Sequence, residues 1–110
     1  MAIKALTKAE YDEQLQNDSS GFLLDFWREN CGTCKSLSQE LGQLSEENPE
    51  LRIYSVNIDS EPELVRHFRV MMSPTLLLVK NDAVLKKSIG YKSKEHILEL
   101  VNTYLASDTQ

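Results

Sequence analysis

Cys31 and Cys34, the only two cysteines of the chain, stand with two residues between them in the run Cys31-Gly32-Thr33-Cys34. Residues three apart on a helix share one face, so one thiol can attack a disulfide and the other can resolve the mixed disulfide that forms. The attacking species must be a thiolate, and a free cysteine with a pKa of about 8.5 is only roughly 3% ionised at pH 7. A helix that begins at the motif lowers that pKa, because its unpaired N–H groups and positive dipole end favour an anion on Cys31. Lys35 either adds to that potential or is a solvated first-turn residue; Gly32 leaves room for a second backbone and frees the turn. The competing reading is a static cross-link, but closing a four-residue loop removes only about 2 kcal/mol of chain entropy. Zinc fits poorly: a closed site needs four ligands, and His67 and His96 lie far apart in the sequence. No metal site is expected, and both histidines read as surface residues.

Asp25 closes the apolar run Phe22-Leu23-Leu24 and precedes Phe26-Trp27, so either face of a strand there gives its carboxyl an apolar neighbourhood. Burial without a cation raises a carboxyl pKa, which suits Asp25 to accept the proton of Cys34. The plainer reading is a strand-end aspartate reaching solvent. Trp27, four residues before Cys31, reads either as core or as a wall of the site.

These groups need elements to hold them. Ile3 to Leu6 reads as a short strand, and Thr7-Lys8-Ala9-Glu10 has the form of a capping box opening a helix to about Gln16. Phe22 to Trp27 reads as a strand covered on both faces, hence central in its sheet. Leu37, Leu41 and Leu44 recur at helical spacing from Cys31 to about Asn48, where Pro49 stops the helix. Arg52 to Ile58 is strand-like, and Ser60-Glu61-Pro62-Glu63 looks like a second capping box, starting a short helix through Phe68. Thr75–Val79 and Val84–Ile89 are strands joined by a tight Asn81-Asp82 hairpin, and Ser93 caps a last helix with Ile97, Leu98, Leu100, Val101 and Leu105 on its buried stripe. The order βαβαβαββα implies right-handed parallel crossovers plus an antiparallel hairpin, a mixed sheet with helices on both faces.

The 110 residues suit one domain, 1–110, ending in a polar tail at 106–110. A 41% hydrophobic and 26% charged composition is that of a folded globular chain, and a net charge of −5 argues against nucleic acid as a partner. No apolar run is long enough to span a membrane, and the polar start lacks a signal-peptide core, so the expected location is the cytoplasm. In that compartment a C-x-x-C pair is catalytic or metal-binding more often than structural.

Asp25-Phe26-Trp27, Cys31-Gly32-Thr33-Cys34-Lys35, Pro74-Thr75 and Gly90 together resemble the thioredoxin family, in order and spacing from about Ile3 to Leu105. The resemblance implies an α/β thioredoxin-like fold, a five-stranded mixed central sheet flanked by four helices. It implies a thiol-disulfide oxidoreductase in which Cys31 attacks, Cys34 resolves, Asp25 is a buried proton-transfer group and Pro74 is cis. By the same resemblance, Trp27, Asn30, Gly32, Thr33, Ser73, Pro74, Gly90 and Tyr91 form the groove for a disulfide-containing client, which pairs with the backbone before Pro74. Electrons would come from an NADPH-dependent, flavin-containing thioredoxin reductase; this chain, a monomer, has no nucleotide-binding glycine motif and would carry no cofactor of its own.

The departures from the family pattern are informative. Asn30 and Thr33 replace the tryptophan and proline of the usual Trp-Cys-Gly-Pro-Cys, Ser73 replaces a branched apolar residue, Ser55 a lysine, and Gln39 a helix proline. Thr33 supplies an N–H and a hydroxyl that favour a thiolate, so the expected potential is less reducing than the roughly −270 mV quoted for thioredoxin. Asn30 and Ser73 make the groove more polar. Without the lysine, the pKa of Asp25 depends more on desolvation. The alternative reading is a specialised thioredoxin-like redox protein, or a redox-sensing binding module, with few clients and a shifted potential.

Overall fold

The computed structural model describes residues 3–105, and the polar tail expected at 106–110 lies outside them. Strands β1 (Ile3–Ala5), β2 (Phe22–Trp27), β3 (Ile53–Asn57), β4 (Thr75–Lys80) and β5 (Ala83–Ile89) form one sheet in the order β1-β3-β2-β4-β5. β1, β3 and β2 run parallel, while β4 and β5 are antiparallel to their neighbours, which is the mixed sheet the sequence predicts. The central place of β2 follows from its apolarity: Phe22, Leu24 and Phe26 pack into one core and Leu23 into the other. Leu37, Leu41 and Leu44 of α2 (Gly32–Glu47) and Ile97, Val101 and Leu105 of α4 (Lys94–Tyr104) and its end cover the Leu23 side. Tyr11, Leu15, Leu64 and Phe68, from the first and third helices, cover the other.

The Thr7 capping box is present in full: Thr7 Oγ1 accepts from the Glu10 N–H at 3.2 Å, and Glu10 Oε1 accepts from the Thr7 N–H at 3.1 Å. The helix it opens, α1 (Lys8–Glu10), passes into a π-helical turn over Tyr11–Leu15, in place of the ordinary helix to about Gln16 that the sequence predicts. The Gln16 N–H donates to the Tyr11 carbonyl at 3.0 Å, and both Tyr11 and Leu15 are buried. The expected Ser60 capping box is absent. Helix α3 (Pro62–Phe68) has Glu61 at its N-cap and Pro62 at its first position, while Asn57 Oδ1 accepts from the Asp59 N–H and the Asn57 carbonyl from the Glu61 N–H. A proline at the first position needs no donor partner, so the turn before it is stabilised by Asn57 instead.

Asn81 (φ 53°) and Asp82 (φ 63°) both take the left-handed conformation that a two-residue hairpin requires. Asp82 Oδ1 also accepts from the Tyr11 hydroxyl and meets His67 Nε2 at 2.8 Å. His67 is exposed as expected, yet these two contacts on Asp82 tie α3 and the π turn to the hairpin.

The entry to β2 is fixed by one carboxylate. Asp18 Oδ1 accepts from the Ser20 N–H at 2.9 Å, the Gly21 N–H at 3.0 Å and Arg52 Nη2 at 2.7 Å. The Arg52 guanidinium beside it, with these N–H groups, holds the Asp18 carboxyl well below the usual range. A depressed folded-state pKa stabilises the fold above the unfolded value near 4, and that contribution is lost as pH falls through the folded value. Asp18→Ala should therefore cost about 2 kcal/mol at neutral pH and flatten the acid limb of stability against pH, read by urea unfolding between pH 2 and 7.

Candidate active site

The sharp passage from β2 into α2 builds the site. Asn30 turns the chain with φ 59°, a conformation asparagine tolerates far better than tryptophan. Cys31 follows in extended conformation (φ −123°, ψ 107°) as the N-cap of α2. Its Sγ accepts from the Cys34 N–H at 3.2 Å, the place that a serine or aspartate oxygen takes in an ordinary cap. Cys31 and Cys34 are joined as a disulfide, with Cα atoms 5.2 Å apart. Thr33 Oγ1 lies 3.6 Å from Cys31 Sγ. Exposure separates the two sulfurs: Cys34 is buried at 4%, while Cys31 is only partly covered. Gly32 has no left-handed φ, contrary to the expectation that it frees the turn. A Cβ there would meet nothing within 4 Å, so the space beside Cys31 is open at this position.

Asp25 lies two residues after Leu23 on the same face of β2, the face covered by α2, and its register partners are Ser55 on β3 and Leu76 on β4. It is 3% exposed, and its Oδ1 has no hydrogen-bond partner. Burial pushes its pKa up to about 7, and desolvation is the single cause. Ser55 brings no cation to oppose it.

A cleft of about 570 Å³ brings Asp25, Trp27, Asn30, Cys31, Gly32 and Cys34 together. Lys35 and Ser55, weighed in the sequence, also line it. Ile3, Arg28, Glu29 and Ser38 line it without having been singled out, since no residue type or spacing marks a polar surface residue as the wall of a cleft. Thr33, Ser73, Pro74, Gly90 and Tyr91 lie outside its lining. The Ser73–Pro74 peptide is cis, the Gly90 N–H donates to the Pro74 carbonyl at 3.0 Å, and Tyr91 is 48% exposed. Because Thr75 pairs with Phe26, this loop sits at the end of the sheet where β2 leads into the cysteine turn. Two neighbours escaped the sequence reading: Met71, 89% exposed, and Met72, 55% exposed.

Comparison with known proteins agrees with this geometry. The family described as Thioredoxin matches residues 2–103. The chain is 37% identical to the thioredoxin of Listeria monocytogenes over 105 residues, 94% of this chain and 99% of that one. It is 37% identical to the thioredoxin of Bacillus subtilis over 103 residues (92% and 99%), and 30% identical to that of Staphylococcus saprophyticus over 106 (96% and 100%). With a two-cysteine disulfide at the start of α2 and this match along nearly its whole length, the chain belongs to the thioredoxin family and is a thiol-disulfide oxidoreductase.

Proposed function

We propose that this chain reduces protein disulfides in the cytoplasm, with Cys31 as the attacking thiol, and that the observation carrying this is the placement of Cys31 Sγ as the N-cap acceptor of α2. A thiolate there is held by an N–H donor and the helix dipole. It attacks one client sulfur, the client S–S bond breaks, and a client thiolate leaves. Cys34, losing its proton to the Asp25 carboxylate, then attacks Cys31 Sγ, which forms the Cys31–Cys34 bond and frees the second client thiolate. Two electrons pass to the client. The groove for that client would comprise Trp27, Asn30, Gly32, Thr33, Ser73, Pro74, Gly90 and Tyr91. A flavin-containing, NADPH-dependent reductase would return the electrons, so the nicotinamide and flavin belong to that partner and the chain works as a monomer.

The test couples the protein to such a reductase and a disulfide-bonded client, following NADPH consumption. Trp27, the only tryptophan and a wall of the cleft, reports in parallel through fluorescence that changes between the dithiol and disulfide forms. Absence of turnover with any disulfide client would overturn the reading.

Thr33 tunes this chemistry. Its hydroxyl lies 3.6 Å from Cys31 Sγ, and a donor to the thiolate stabilises the reduced form. Thr33→Pro removes that donor and should make the potential more negative by about 30 mV, equivalent to about 1.4 kcal/mol for a two-electron couple. Equilibration with glutathione buffers measures it; an unchanged or more positive potential contradicts the assignment.

A further inference from the structure

The loop that leads into cis-Pro74 carries an unusual surface. Met71 and Met72 are 89% and 55% exposed, the two most exposed large apolar side chains among the described residues. The backbone beneath them is fixed: Thr75 Oγ1 donates to the Met72 carbonyl at 2.6 Å, and the Pro74 carbonyl accepts from Gly90. Ile89 (50% exposed) and Tyr91 (48% exposed) flank in sequence the Gly90 that makes this contact, so exposed apolar side chains stand on both chain segments that meet at Pro74. When Cys31 and Cys34 are joined, neither offers a thiol to an oxidant, and methionine thioethers are the oxidisable sulfur that remains.

We propose that Met71 and Met72 are a peroxide-sensitive modification site, whose conversion to sulfoxides weakens the docking of protein clients on the Pro74 loop. In the step, the methionine sulfur lone pair attacks one oxygen of a hydroperoxide and the O–O bond breaks. The sulfur gains that oxygen as S=O, and the other oxygen leaves as water or an alcohol; the thioether is oxidised by two electrons and the peroxide reduced by two. Exposure lets the oxidant in without any opening of the fold. Each product replaces a flexible apolar thioether with a polar, chiral group, which a client's apolar segment must desolvate on docking. The loop backbone, held by Thr75 and Gly90, keeps its shape, so the change acts on the surface and leaves the cysteine turn alone. This inference rests on the proposed use of the Pro74 loop by clients.

The experiment treats the disulfide form with hydrogen peroxide, removes the peroxide, maps the oxygen added by peptide mass spectrometry, and then measures reduction of a protein client. Both Met71 and Met72 should gain one oxygen. The kcat/KM for the client should fall about tenfold, about 1.4 kcal/mol, while dithiothreitol reduces Cys31–Cys34 at its former rate. A Met71→Leu/Met72→Leu protein, compared with itself before and after peroxide, should show no such fall. Unmodified Met71 and Met72, an undiminished kcat/KM after full oxidation, or an equal loss in the leucine variant would each overturn the proposal. Met71→Asp/Met72→Asp separates the two levels: if it lowers kcat/KM while the sulfoxides do not, client docking at the loop stands and the switch fails. If neither lowers it, the docking assignment fails as well.

Discussion

Cys31→Ser should abolish disulfide reduction, lowering kcat by at least about 10³-fold, because a serine hydroxyl at the same N-cap supplies no thiolate. The fold should survive the change, since serine is itself a favoured N-cap and its oxygen can accept the Cys34 N–H that Cys31 Sγ now accepts. Cys34→Ser behaves differently. The first exchange, which uses Cys31 alone, proceeds, but the buried position that should resolve the mixed disulfide holds a hydroxyl, so the client stays covalently attached. Non-reducing electrophoresis after mixing each variant with a disulfide client reads both outcomes: a client adduct with Cys34→Ser and none with Cys31→Ser. Adducts at equal yield on both variants, or residual turnover by Cys31→Ser, would reverse the assignment of roles. The same pair of variants separates reduction from a purely docking role, for which neither thiol would be needed.

Much of this site was legible in the sequence because local rules and the global fold agree there. Phe22 to Phe26 is apolar at every position but Asp25, and only a central strand hides both faces, so the neighbours of Asp25 favour its burial, while a solvent-reaching strand-end aspartate stays open until the structure shows it 3% exposed. The Asn81-Asp82 pair announced its hairpin because few residues accept two successive left-handed conformations. What escaped depends on contacts distant in sequence. The π turn at Tyr11–Leu15 brings Tyr11 to Asp82, 71 residues away, and nothing within the local sequence marks it. Ser60 matched a capping pattern whose job Asn57 and Pro62 had already taken. Arg28, Glu29 and Ser38 became walls of the cleft through the turn at Asn30 and the direction of α2, which residue type does not encode. The sequence shows the polarity of Asn30, whereas its left-handed backbone gives a second reason for its presence before Cys31.

Asp25→Asn should stabilise the protein at alkaline pH and slow its catalysis. The folded carboxyl titrates near pH 7 because burial opposes its charge, whereas in the unfolded chain it titrates near 3.8. Between those values the folded state keeps a proton that the unfolded state has released, so stability falls as pH rises from about 4 to 7 and levels off above. Three pH units at 1.36 kcal/mol each set an upper bound of about 4 kcal/mol for the cost of the buried charge at pH 8. Removing the charge recovers part of that, and the gain should vanish near pH 4, where aspartic acid and asparagine are both neutral. The same substitution removes the acceptor proposed for the Cys34 proton. Because Asp25 and Cys34 line one cleft, water can stand in for the carboxylate, so the loss in kcat should be about 10- to 100-fold, at or below the usual range for general bases. Urea unfolding of both proteins at pH 4, 6 and 8, with the pH profile of mixed-disulfide resolution, tests the two halves together. A stabilisation that does not grow with pH would mean that Asp25 is not held protonated by burial. A resolution rate that loses none of its dependence on pH around 7 would remove Asp25 from the proton path.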